Sequence, residues 1–323
     1  MSTTGKNSGG KMPIIDLHCD TVLELARRKK ALAVNDLCVD LEKMRKSDVI
    51  CQFFAMFIRM TEFPSVDGAW ERMLQLYAVF REEMAKNAGA IRQITSGVEL
   101  SGKNDVPAAV LTVEEGGILG GRVERVDELY KMGVRLITLT WNFENCIGYP
   151  NSEETEIMEA GLKPFGLEVV EKMNDLGMIV DVSHLSDGGF RDVAHYSRKP
   201  LVASHSNARA LCPNRRNLTD DMIRTLADSG GVTGINFYGK FLGDKTPGTL
   251  AEIIAHIKHI KNVGGIDCIA LGSDFDGFDG GCEIEDASRF PKLVAALGKN
   301  GFTAGEIEKI TWKNALRVIR ETL

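Results

Sequence analysis

Eight short apolar runs, most of them bounded by glycine, proline, asparagine or aspartate, recur along the 323-residue chain and alternate with helically patterned segments. They cover residues 13–18, 49–58, 107–113, 134–140, 178–183, 201–205, 232–237 and 267–273. Apolar runs of strand length separated by amphipathic segments predict parallel strands joined by helical crossovers. Helix signals fill the gaps: Pro164 opens a segment that stops at Gly177, and Thr219-Asp220-Asp221 starts one that ends at Gly230-Gly231. Others run from Thr249 to Gly264-Gly265, over 287–298 and over 304–321. Eight such units imply an α/β protein with a (β/α)8 TIM-like barrel, a single domain over 13–323. A doubly wound sheet is the competitor, but no GxGxxG follows the first strand and no Walker loop is present.

Five of the eight runs end on a histidine or an acid. Ile14-Ile15-Asp16-Leu17 leads to His18-Cys19-Asp20, and Val110-Leu111-Thr112-Val113 to Glu114-Glu115. Val180-Asp181-Val182-Ser183 leads to His184, Val202-Ala203-Ser204 to His205, and Ala270-Leu271-Gly272-Ser273 to Asp274. Reactive groups at the carboxyl ends of barrel strands converge on one mouth, where barrel enzymes place their catalytic centres.

Each residue alone has an ordinary explanation. Asp20 could cap the helix that follows it, and a single strand-end histidine is commonly just hydrogen-bonded in place. Together they point to a metal. His18 and Asp20 share a face, and His184 and His205 end successive strands. Alternation turns one of Glu114 and Glu115 toward the centre and the other away. That makes five nitrogen and oxygen ligands, more than one catalytic zinc uses and suited to two ions sharing a carboxylate. Asp274 is placed to contact water at such a centre, and Asp276 reads as an orienting or turn residue beside Gly277. His195, His256 and His259 fall on helices and read as packing or surface residues.

The formal charge of -6 and the absence of a basic stripe exclude a nucleic-acid surface. No apolar stretch approaches the roughly 20 residues of a membrane helix. Seven scattered cysteines without CxxC spacing suggest no disulfide framework and a cytoplasmic setting. Residues 1–12, rich in Ser, Thr and Gly, read as a disordered tail.

The order of these motifs resembles the membrane (renal) dipeptidase family of zinc metallopeptidases, in particular its soluble bacterial members. The motifs are Asp16-Leu17-His18-Cys19-Asp20, Glu115-Gly116-Gly117, Asp181-Val182-Ser183-His184, Ser204-His205-Ser206, Arg215-Arg216-Asn217 and Gly272-Ser273-Asp274-Phe275-Asp276-Gly277. The resemblance implies two Zn2+ per chain, one on His18 and Asp20, the other on His184 and His205. It makes Glu115 the bridge, because the family's bridging Glu directly precedes Gly-Gly. It further implies dipeptide hydrolysis by a metal-bridging hydroxide, with Asp274 as proton shuttle and Arg216 as anchor for the substrate carboxylate. The expected partners are the dipeptide and a second copy of the chain in a homodimer, with no nucleic acid and no membrane.

One position departs from the pattern. Animal members carry a substrate-contacting histidine after the fourth strand, and Trp141 stands there. Asn145 or Tyr238 is the expected replacement contact. Other metal-dependent barrel hydrolases, acting on cyclic amides, β-lactams or as deaminases, are the nearest rivals. They usually open on HxH, whereas this chain has HxD and no lysine at the end of its fourth strand. A non-catalytic metal-binding barrel is the more distant rival, and all five ligand positions are filled.

Overall fold

The computed structural model describes residues 11–101 and 105–323, so the expected tail lies outside the described residues except for Lys11 and Met12. The described residues form nine parallel strands: β1 (Ile14–Asp16), β2 (Val49–Phe57), β3 (Arg92–Gln93), β4 (Ala108–Glu114), β5 (Val134–Thr138), β6 (Ile179–Asp181), β7 (Val202–Ala203), β8 (Val232–Ile235) and β9 (Ile269–Leu271). Their order is β2-β1-β9-β8-β7-β6-β5-β4-β3, and β2 also pairs with β4. That last pairing, Cys51 to Phe57 against Ala108 to Glu114, closes eight strands into a ring with β3 outside it. The fold is therefore the expected (β/α)8 barrel, and the open-sheet rival is excluded.

All eight expected strands are present. β3 is the addition, a two-residue pairing too short to carry any periodicity. The helices follow their end signals. Pro164–Leu176 has proline in its first turn and Gly177 left-handed at its end. Thr219 caps Asp220–Asp228, and a Thr249/Glu252 capping box starts Leu250–Gly264. The segment expected as one helix over 304–321 is three pieces, with a π-helical turn at Lys309–Lys313.

Alternation along the strands sorts the core into two layers. On β4, Ala108 and Val110 join an inner cluster with Ile15, Phe53, Leu136, Ile179, Val202, Val232 and Ala270. Ala109, Leu111 and Val113 face the helices in a larger outer cluster. Phe53 is fully buried in the inner layer, and its truncation to Ala would cost about 3–5 kcal/mol. The last helix, Asn314–Thr322, adds Ala315, Leu316, Val318 and Ile319 to that layer. Asn314 donates to the carbonyls of Ile266 and Ile269, and Arg317 to those of Gly230 and Asp267, all ahead of or entering strands. The amino-terminal mouth is thereby plugged, which leaves the carboxyl-terminal mouth for chemistry.

All seven cysteines are free. No helix among the described residues is long and apolar enough to cross a membrane.

Candidate metal centre

Where the inner layer runs out at the carboxyl-terminal mouth, its hydrocarbon side chains give way to polar ones. Glu114 has the parity of Ala108 and Val110, so it continues the inner row of β4 and is buried. Its Oε2 lies 3.3 Å from His18 Nε2, and its Oε1 lies 3.0 Å from His184 Nε2 and 3.6 Å from His205 Nε2. His18 Nε2 is also 3.4 Å from Asp20 Oδ2 and 3.8 Å from Asp274 Oδ1. The two imidazoles His184 and His205 face each other with Nε2 atoms 3.0 Å apart.

Two overlapping donor groups result: His18, Asp20 and Glu114, and Glu114, His184 and His205. A third combines His18, His205 and Asp274. His18 Nε2 and Asp20 Oδ1 are buried with no hydrogen-bond partner among the described residues. Such orphaned acceptors and donors are costly unless something polar occupies the space between them. Nitrogen and carboxylate oxygen in this ratio suit zinc or a similar divalent ion. Asp20 sits at the cap position of Thr21–Arg28 yet makes no capping bond, so its carboxylate is left for the centre.

The expected site residues divide. His18, Asp20, His184, His205 and Asp274 are brought together, but the expectation for Glu115 is corrected. Its backbone is left-handed, at φ 100°, and its side chain turns back from the centre. There it accepts from Gly117 N at 2.7 Å, Trp141 N at 3.0 Å and Asn145 Nδ2 at 2.5 Å. Glu115 thus ties together the loops after β4 and β5, and Glu114 occupies the shared position. Asn145 is corrected as well. Its amide donates to Glu115 and to the Leu139 carbonyl, while its oxygen accepts from Ile147 N and Gly148 N. Nothing remains for a substrate.

Arg216 is buried, donating to Ser206 Oγ at 3.3 Å and the His205 carbonyl at 3.2 Å. Its Nε has no partner among the described residues. Burial lowers its pKa to about 10, which still leaves it charged at neutral pH. Trp141 packs its ring near Phe57, Phe143 and His184, and Tyr238 stacks on Phe278. Asp276 is a tie between loops, accepting from Thr21 Oγ1 and Cys38 N. His256 accepts from Ala208 N and His259 pairs with Asp220, so both are packing residues as expected.

Burial dominates the electrostatics. It lifts Glu114 to about 7 and Asp274 to about 6, since a carboxylate loses its hydration there. It lowers His184 and His205 well below the usual imidazole range. For His18 burial acts the same way, but Glu114 and Asp20 outweigh it and its pKa is raised. Four residues of the region, Glu115, His184, Asp274 and Asp276, hold positive φ without being glycine. Strained backbone of this kind persists where surrounding contacts over-determine it.

Several participants were not singled out from the sequence. Asn142 Oδ1 lies 2.9 Å from His184 Nδ1, and Asn236 donates to Asp274 Oδ2 at 2.9 Å. Asp16 and Asp181 accept from the serines beside Asp274 and His205. Both serines and both aspartates lie within the quoted motifs, which was the available signal.

Residues 9–323 match the profile of the membrane dipeptidase family, peptidase family M19. The chain is 37% identical over 267 residues to an uncharacterized protein in the pqqA 5' region of Klebsiella pneumoniae, spanning 79% of this chain and 96% of that protein. It is 32% identical over 300 residues to an uncharacterized dipeptidase of Schizosaccharomyces pombe, 88% of this chain and 72% of that protein. Its structure is similar to that of the dipeptidase AC, a metallo peptidase of family M19. The TM-score is 0.89 at 25% identity, over 97% of this chain and 99% of that chain.

Proposed function

The chain belongs to the membrane dipeptidase family, peptidase family M19, and on that premise we propose that it cleaves dipeptides at a binuclear zinc centre. His18, Asp20 and Glu114 would hold one ion, and Glu114, His184 and His205 the other. The observation that carries this reading is the position of Glu114, whose two oxygens address different histidines. When bound, the ions supply Lewis acidity toward the scissile carbonyl and make water at the site acidic near neutral pH.

The chain's own groups do the rest. Asp274 is held through Oδ2 by Asn236, which leaves Oδ1 facing the centre. That oxygen takes the proton of the attacking water and returns it to the leaving amine, and burial raises its pKa toward the working range. Arg216 offers its charged guanidinium fork to the free carboxylate of the substrate, favouring dipeptides over longer chains. Trp141 and Tyr238 form apolar walls for the side chains.

Metal analysis and a dipeptide assay test the proposal. Two zinc ions per chain and release of free amino acids are expected, both abolished by a chelator. Asp274→Asn should keep both ions and lose about 100-fold or more in kcat. Arg216→Ala should act mainly on KM. A wild-type rate in Asp274→Asn would remove it as the proton carrier, and a metal content of one would overturn the binuclear reading.

A further inference from the structure

We propose that Asp181 sets the tautomer of His205 through the hydroxyl of Ser204, so that Nε2 presents its lone pair to the metal site. The inference rests on reading the cluster as a metal centre.

Asp181 is fully buried at the end of β6. Its Oδ1 accepts from Ser183 N at 3.0 Å and Ser204 N at 2.8 Å. Its Oδ2 accepts from Thr138 Oγ1 at 2.7 Å and faces Ser204 Oγ at 2.6 Å. A carboxylate with so many donors aimed at it is an acceptor on every side, so the short contact to Ser204 uses the serine's single proton. Ser204 Oγ then has only lone pairs to offer His205 Nδ1, 2.7 Å away. The imidazole must therefore donate from Nδ1, and in the neutral ring Nε2 is left bare.

The ring is also fixed from behind. Ser183 Oγ accepts from His205 N at 3.1 Å, so the backbone that carries the ring is bonded to the segment that directly follows Asp181. The relay differs from a direct carboxylate–histidine contact in that a hydroxyl stands between them and transmits direction without sharing charge at close range. Asp181 is thus a positioning residue. It belongs to none of the three donor groups of the centre.

The test uses metal-free protein labelled with 15N in histidine. Two-bond 15N–1H correlations should show His205 as the Nδ1–H tautomer. In Asp181→Asn the carboxamide NH2 can donate to Ser204 Oγ, which turns the hydroxyl proton onto Nδ1 and moves the ring toward Nε2–H. Zinc affinity, read by chelator competition, should then fall roughly 10–100-fold, the range for lost outer partners of metal-bound histidine. Ser204→Ala should fall in the same direction. Thr138→Val removes a different bond to the same Asp181 oxygen and should lose far less, which separates the relay from general loosening. Far-UV circular dichroism checks that each variant is folded. An Nε2–H ring in the wild type, or unchanged tautomer and affinity in Asp181→Asn, would overturn the relay. If the wild type bound no divalent ion at all, the metal-centre reading would fail, while the tautomer spectrum would still decide the relay.

Discussion

Asp16 and Asp181 are the same device built twice, on opposite halves of the centre. Each ends a short strand, β1 or β6, ahead of a histidine in the same motif. Each reaches to the neighbouring strand and takes both the N–H and the hydroxyl of one serine. The distances are 2.7 and 2.6 Å for Ser273, and 2.8 and 2.6 Å for Ser204. The difference lies in what the serine oxygen then receives. Ser204 takes the imidazole N–H of His205, whereas Ser273 takes the backbone N–H of Phe275 at 3.2 Å. One staple therefore sets a proton on the His205 ring. The other sets the path of the loop on which Asp274 stands with φ at 62°. Identical local chemistry yields different outputs because the residue after the serine is a histidine in one half and an aspartate in the other.

Glu114→Gln should give the largest effect, because this side chain is common to both halves. Loss of at least one zinc per chain and a fall in kcat/KM of more than about 100-fold are expected, beyond the usual cost of an outer partner. Retention of two ions measured by metal analysis would break the symmetry of the comparison. Gly277→Ala should come next and act on the His18 half alone. A Cβ at Gly277 would overlap both Asp20 Oδ2 and Asp274 Oδ1. The ion on His18 and Asp20 should be lost or weakened while the His184–His205 position keeps its affinity. Equal weakening of both would show that the halves are not separable. Asp16→Asn should be milder for metal and heavier for folding. Replacing a buried acceptor of the Ser273 N–H and hydroxyl costs roughly 1–3 kcal/mol. Thermal unfolding should move, with zinc affinity at His205 unchanged, the reverse of the balance expected for Asp181→Asn.

The contrast between the halves also marks what the sequence could convey. Long apolar runs such as 49–58 announce buried strands directly, and the histidines at strand ends are legible because the barrel forces strand ends to one mouth. The choice between Glu114 and Glu115 is not. Both faces of β4 are apolar, Ala108 and Val110 on one and Leu111 and Val113 on the other, as for any strand buried on both sides. Local periodicity then cannot say which face is inner, and the adjacent Gly-Gly points to Glu115, the acid whose carboxylate turns away from the histidines. The roles of Asp181 and Ser204 depend on β6 lying beside β7, and Asn142 and Asn145 take theirs from the folding of one loop. Those are facts of pairing and loop shape, absent from any single segment.

Glu115→Gln offers the finest test, because Glu115 serves only one half and does so at a distance. Its Oε2 accepts from Trp141 N, and the next residue, Asn142, orients His184 through Nδ1. Its Oε1 accepts from Gly117 N and Asn145 Nδ2. A glutamine that keeps its oxygen at the Oε1 position retains those two bonds and sets an NH2 against the Trp141 N–H. The variant should therefore lose one bond and gain a repulsion, about 1–3 kcal/mol of stability in a buried place. Its metal content should stay at the wild-type value, with a few-fold weaker ion at His184 and none of that change at His18. Competition titrations that resolve the two ions decide the matter. If Glu115→Gln emptied the centre while Glu114→Gln did not, the assignment of the two neighbouring acids would have to be exchanged.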